Sequence, residues 1–131
     1  MITEITRLEE LISHNDLESY IVYFGDPVSC IPCRRFKPHY DAASERSSVK
    51  FLYVNIRTAE DLIRELYGVS SVPAVFYVDT FSGTKDRLNS TVGALGLVSQ
   101  IIDKENARLD AKALREEAED ENADVSPVRI V

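Results

Sequence analysis

The only two cysteines of the chain, Cys30 and Cys33, stand close together in Ser29-Cys30-Ile31-Pro32-Cys33. Two thiols at that spacing can pass to a disulfide and back, so the chemistry they point to is thiol–disulfide exchange. Such chemistry needs a thiolate, and the flanking sequence is suited to making one. Before the pair runs Tyr20-Ile21-Val22-Tyr23-Phe24, continuously apolar, β-branched and aromatic, which reads as a buried strand. After it, Arg34 to Arg46 reads as a helix. Unpaired N–H groups at a helix start favour a thiolate over a thiol and can lower a cysteine pKa from about 8.5 to about 7 or below. Pro32 suits the first helical turn, where its missing N–H would have had no partner.

Other roles for the pair are weaker. A structural zinc needs four ligands, and only His14 and His39 remain to complete a set, with His39 too near Cys33 on the same helix for a usual spacing. The sequence therefore offers no metal site. As a purely structural disulfide the pair closes so short a loop that it would stabilise little. Two inert buried thiols do not suit a strand-to-helix turn.

At 131 residues the chain is sized for one domain with a real core. Its net charge of −7 argues against a direct nucleic-acid or anionic-membrane binder, which would need a basic face. Met1-Ile2-Thr3-Glu4 carries no basic region followed by an apolar run, and no apolar run exceeds strand length. The expectation is a cytoplasmic protein in a reducing compartment, where a Cys-x-x-Cys is catalytic more often than structural.

In order, Ile2 to Ile5 alternates as a short edge strand. Thr6-Arg7-Leu8-Glu9 forms a capping box for a helix facing inward with Leu8, Leu11 and Ile12. Residues 19–24 form the central strand, and residues 31–46 a helix kinked at Pro38. Lys50 to Ile56 is a second buried strand. A helix opening at Thr58-Ala59-Glu60-Asp61 turns Leu62, Ile63 and Leu66 inward and closes at Gly68. Ala74 to Val78 is a third buried strand, entered through Pro73, which reads either as an ordinary edge-strand proline or as a turn with a cis X-Pro bond, the latter suiting a buried strand. Ser82-Gly83 turns into a strand from Lys85 to Val92, and a last helix places Leu95, Val98, Ile101 and Ile102 on one side. This alternation predicts an α/β fold with a sheet covered on both faces.

Over residues 2 to about 105 the chain resembles the thioredoxin family. The marks are Cys30-Ile31-Pro32-Cys33 after the second strand, Pro38 five residues beyond, Val72-Pro73 opening the fourth strand, and Val92-Gly93-Ala94-Leu95 before the last helix. The resemblance implies a mixed sheet of five strands flanked by four helices, and no cofactor. It covers the domain at 1–105; the extended C-terminal helix and tail at 106–131 depart from it and are read from composition alone. It implies that Cys30, Val72-Pro73 and Gly93 meet on one surface. In those roles Cys30 attacks a target disulfide, Cys33 resolves the mixed disulfide, and Ile31, Pro32, Val72, Pro73 and Gly93 receive the target chain. The implied partners are disulfide-bearing proteins and a reductase that returns electrons.

The chain also departs from that pattern. Ser29 stands where the family carries Trp, and any apolar lid over the sulfur must come from Val28 or Ile31. The family's buried acid falls at Tyr23 or Phe24, with one residue of ambiguity, and its lysine partner at Tyr53. Losing both is consistent, since a lone buried charge costs several kcal/mol. Asp26 is the nearby candidate for proton transfer, although an Asp ahead of Pro27 also reads as a turn residue. Arg34 and Arg35 could stabilise the thiolate or draw acidic targets, but read first as solvated helix surface. His39 reads as half-buried and structural.

Residues 103–124 hold nine acids against four bases and favour a helix to about Glu119 and mobile residues beyond it; Val125–Val131 reads first as a disordered end and second as an extended segment that could dock as a strand. Two function classes follow. One is a protein dithiol–disulfide reductase. The other is a binding module or partner subunit, for example a polymerase accessory factor, in which redox activity is secondary.

Overall fold

The computed structural model describes the backbone of residues 2–130 and the side chains of residues 2–118. Five strands form one mixed sheet: β1 (Ile2–Glu4), β2 (Ser19–Gly25), β3 (Lys50–Asn55), β4 (Ala74–Asp79) and β5 (Thr84–Leu88), in the order β1-β3-β2-β4-β5. β1, β3 and β2 are parallel, and β4 and β5 are antiparallel additions. The helices are α1 (Leu8–Ser13), α2 (Ile31–Glu45), α3 (Asp61–Leu66) and α4 (Ala94–Ile130), with a 3-10 turn at His14–Asp16. This is the α/β architecture the residue pattern predicts.

Alternation along the strands splits the core in two. Tyr20, Val22 and Phe24 of β2 join Leu52, Phe76, Ile63 and Tyr67 on one face. Ile21 and Tyr23 join Phe36, Tyr40, Tyr53 and Leu97 on the other. β2 is buried along its whole length, which explains its unbroken apolar sequence.

Several helical faces differ from expectation. Ile12, Leu62, Leu66, Leu95 and Ile102 are exposed. α1 and α3 are so short that Leu11 and Ile63 alone reach full burial within them. In α4 the buried pair is Leu97 and Ile101, one helical turn apart, with Val98 beside them. The capping box is also one residue later than read. Arg7 is the N-cap, and Glu10 Oε1 accepts the Arg7 N–H at 3.0 Å and the Thr6 hydroxyl at 2.9 Å. β5 ends at Leu88 and not at Val92, because the Asn89 N–H leaves the ladder for Gln100 Oε1 at 2.8 Å. Gly68 and Gly83 take positive φ, as a helix stop and a hairpin turn require.

Contacts divide the chain into Met1–Ile101 and Ile102–Val131. In the second unit the helical backbone continues to Ile130, past Glu119, so residues 125–130 are helical and not extended. The Ala-, Glu- and Lys-rich composition sustains it. Arg108 pairs with Glu105 at 2.7 Å. The expected mobility of residues 120–124 and the docking of the terminal side chains lie outside the described residues. Among the described residues, no helix is long and apolar enough to cross a membrane.

The core is rich in phenols. Burial raises the pKa of Tyr20, Tyr23, Tyr40, Tyr53 and Tyr67 above the ordinary tyrosine value. A group whose pKa is raised on folding contributes stability that is complete below its unfolded value and lost as pH climbs past it. Stability is therefore expected to hold to about pH 10 and then fall by up to about 1.4 kcal/mol per pH unit for each phenol kept neutral. Urea midpoints at about pH 8 and about pH 11 check this. An unchanged midpoint would contradict it.

Candidate active site

The topology brings three connections to one end of the sheet. β2 ends at Gly25, β4 begins opposite it with Phe24 paired to Ala74, and β5 ends at Leu88 opposite Val75. The loop after β2, the turn before β4 and the loop after β5 therefore converge, outside the carboxyl end of the central strand. They deliver Asp26 to Cys30, Val72-Pro73, and Asn89 to Gly93.

Cys30 is the N-cap of α2 and Cys33 lies one turn inside it. The two sulfurs form a disulfide, with Cα atoms 5.2 Å apart. Cys30 is partly exposed, whereas Cys33 is 1% exposed. The Cys33 N–H donates to Cys30 Sγ at 3.1 Å. When the bond is reduced, that donor and the helix start stabilise negative charge on Cys30. Pro32 occupies the first turn, as its missing donor allows. Cys30 Sγ is 3.7 Å from the Val72 carbonyl oxygen, and the Val72–Pro73 peptide bond is cis. Val28 and Ile31, 62% and 54% exposed, form an open apolar rim and not a closed lid.

β-sheet register resolves the ambiguity over the missing acid. Tyr23 is the partner of Tyr53, their rings 5.3 Å apart, while Phe24 faces the opposite core. Two phenols thus stand where the resemblance places a charge pair that this chain lacks. The Tyr23 hydroxyl donates to the Cys33 carbonyl at 3.1 Å and ties β2 to the first turns of α2. Pro38 has no N–H for the Arg34 carbonyl, so this tie secures the helix just before its weak point.

Asp26 is 9% exposed and its carboxylate is fully engaged. Oδ1 accepts the Val28 and Ser29 N–H groups, each at 2.9 Å, and Oδ2 pairs with Arg57 Nη1 at 3.3 Å. Arg57 Nη1 also reaches Ser29 Oγ at 2.9 Å. The Ser29 N–H above all, then the Val28 N–H and Arg57, hold the Asp26 pKa below the ordinary carboxylate value. A base at neutral pH needs the reverse shift. The arrangement favours Asp26 as a positioning residue for the loop that ends in Cys30. Asp26→Ala is expected to slow exchange about threefold to tenfold, since it frees two N–H groups and Arg57. Asp26→Asn, which keeps an acceptor, is expected to recover most of that rate. Equal losses in a stopped-flow comparison would contradict the assignment.

Arg57 gave no local sign of this role, because its partner lies far away in sequence. Arg87 was likewise silent, yet its Nη2 donates to the Pro73 carbonyl at 3.2 Å and helps hold the turn. His39 is exposed, against expectation, and its ring faces Gly93. Pro32, Phe36, Pro73 and Gly93 line a cleft of 420 Å³ beside the disulfide, with Arg35 and His39 on the α2 side. The exposed face of α2 is thus divided: Lys37 turns the other way and pairs with Asp41 at 2.7 Å.

A five-stranded mixed sheet in this order, with Cys30 and Cys33 opening the helix after its central strand and a cis proline facing them, is the thioredoxin fold. Solved structures agree. The chain is similar to a Trichomonas vaginalis thioredoxin at 26% identity and TM-score 0.60, over 79% of this chain and 96% of that one. It is similar to the reduced thioredoxin pre-protein of Schistosoma mansoni at 23% identity and TM-score 0.62, again over 79% and 96%. With the J-Trx1 fragment of ERdj5 it shares 22% identity and a TM-score of 0.67, over 79% of this chain but only 51% of that fragment. No protein-family model and no curated protein sequence matches the chain.

Proposed function

We propose that the protein is a dithiol–disulfide oxidoreductase that reduces disulfides in protein targets through Cys30 and Cys33. The observation that carries this reading is the asymmetry of the pair: one sulfur accessible at a helix N-cap, its partner buried one turn inside. In the reduced protein the Cys30 thiolate attacks one sulfur of the target disulfide. A Cys30–target bond forms, and the other target sulfur leaves as thiolate and takes a proton. Cys33, deprotonated, then attacks Cys30 Sγ, re-forming the Cys30–Cys33 bond and releasing the second target thiol. The target gains two electrons and two protons, and the protein dithiol loses them. A reductase or external dithiol must then return them.

In this reading Val72 and Pro73 present backbone groups to the target chain, Ile31 and Pro32 flank the attacking sulfur, and Gly93 leaves room for the chain to approach. Residues 1–105 carry the chemistry, and residues 106–131 form an acidic extension. The test is the reduction potential of the pair, measured by equilibration against glutathione or a dithiol. The expected value is about −230 to −280 mV, the reducing end of the range for such proteins. A value of about −120 to −180 mV would instead indicate an oxidase or isomerase. A pair that forms no disulfide in solution would overturn the enzyme reading and favour a binding module.

A further inference from the structure

Basic side chains border the cleft beside the disulfide. Its lining includes the Arg35 and His39 side chains, four residues apart on one face of α2, and contains no carboxylate. This is local, for the chain as a whole carries −7. Lys37 is neutralised by Asp41, and Arg57 by Asp26, whereas Arg35 has no ion-pair partner among the described residues.

The opposite wall is built and held. Asn89 Oδ1 accepts both the N–H and the hydroxyl of Thr91, at 2.8 and 2.6 Å. Gln100 clamps Asn89 from α4, accepting its N–H at 2.8 Å and donating to its carbonyl at 3.1 Å. Gly93 completes the floor, and a methyl group there would make only ordinary contact with the His39 ring, at 3.8 Å. The cleft is therefore a preformed slot with a cationic side, and a preformed site spends little binding energy on ordering itself. Pro73 lines one part of it, placing it within reach of any chain that meets Cys30 at Val72.

Resting on the oxidoreductase reading, we propose that this slot selects targets carrying an aspartate or glutamate a few residues from the disulfide cysteine. Arg35 and His39 engage that carboxylate. The occupant is an extended segment of the target, lying between α2 and the loop after β5. Because the net charge of −7 repels acidic molecules at long range, the preference belongs to the position of the acid and not to the total charge of the target.

The experiment uses reduced full-length protein and pairs of mixed-disulfide peptides with identical composition. In one peptide the acid lies near the cysteine, on either side; in the other it is moved to the far end. Each rate is divided by the same protein's rate on hydroxyethyl disulfide. The near-acid peptide is expected to react about twofold to fivefold faster, the yield of a single exposed ion pair. The ratio is expected to fall to about one in an Arg35→Gln/His39→Gln double variant and to drop below one in Arg35→Glu. A wild-type ratio of one, or a preference that survives the double variant, overturns the proposal. Failure of the wild type to exchange even with hydroxyethyl disulfide overturns the oxidoreductase reading beneath it.

Discussion

A Cys33→Ser variant is expected to react once with a target disulfide and then stop. Cys30 remains partly exposed at the α2 N-cap, so attack proceeds and a mixed disulfide forms. Release normally depends on a second thiol held one turn away, and proximity of that kind is worth many orders of magnitude over a free thiol. Serine at position 33 is too weak a nucleophile to replace it. Turnover is expected to fall at least about a thousandfold, and mass spectrometry should show the protein joined to half of the target. Cys30→Ser is expected to give no adduct, because Cys33 is 1% exposed and lies out of reach of a folded target. Adduct formation by the Cys30→Ser variant would reverse the two roles. Continued turnover by Cys33→Ser would remove the resolving role altogether. Retention of a partner by a variant lacking both cysteines would mark a binding function that needs no redox step.

The fold was legible because its strands announce themselves. Residues 20–24, 50–56 and 74–78 are dense in Val, Ile, Phe and Tyr, and all three give largely buried strands, the second ending at Asn55. The Cys-x-x-Cys turn and the cis bond before Pro73 were legible for a different reason: each is local, written within a few neighbouring residues. What stayed hidden was long-range or depended on helix phase. Arg57 on Asp26 and Arg87 on Pro73 join positions whose spacing in sequence carries no signal. In α3 and α4, apolar density located the helices and part of each inward face, Ile63 in α3 and Val98 and Ile101 in α4, but not the whole of it. Leu97 packs while Leu95 and Ile102 do not, because the sheet meets only a narrow stripe of each helix. His39 was misplaced for the same reason. Read as half-buried, it is exposed and lines the cleft.

Gly25 and Tyr23 carry the largest expected effect on stability, and they carry it jointly. Gly25 has no positive φ, so its backbone would accept any residue. The constraint is space. A methyl group there would lie 2.5 Å from Tyr23 Oη and 2.7 Å from Cζ. The Tyr23 ring is hemmed in by aromatic neighbours. It is 1% exposed, its centroid lies about 5 Å from those of Phe36, Tyr40 and Tyr53, and its hydroxyl is committed to the Cys33 carbonyl. Gly25→Ala is therefore expected to cost about 1–3 kcal/mol in urea denaturation, the range for overpacking a filled core. Tyr23→Phe keeps the ring and loses the hydroxyl bond, for about 1 kcal/mol. Tyr23→Ala is expected to cost about 3–5 kcal/mol, the range for a large aromatic removed from a core. If the clash is the cause, Gly25→Ala should add almost nothing once Tyr23 is alanine, because the added methyl then enters space the ring has left. The coupling between the two sites should then equal nearly the whole cost of Gly25→Ala. Additive costs would show that Gly25 is required for some other reason. A tyrosine lying back over the strand that precedes the cysteines, and a glycine that lets it do so, thus occupy the place of the charged pair that this chain lacks. They hold α2 and its buried sulfur by packing and one hydrogen bond, with no charge to desolvate.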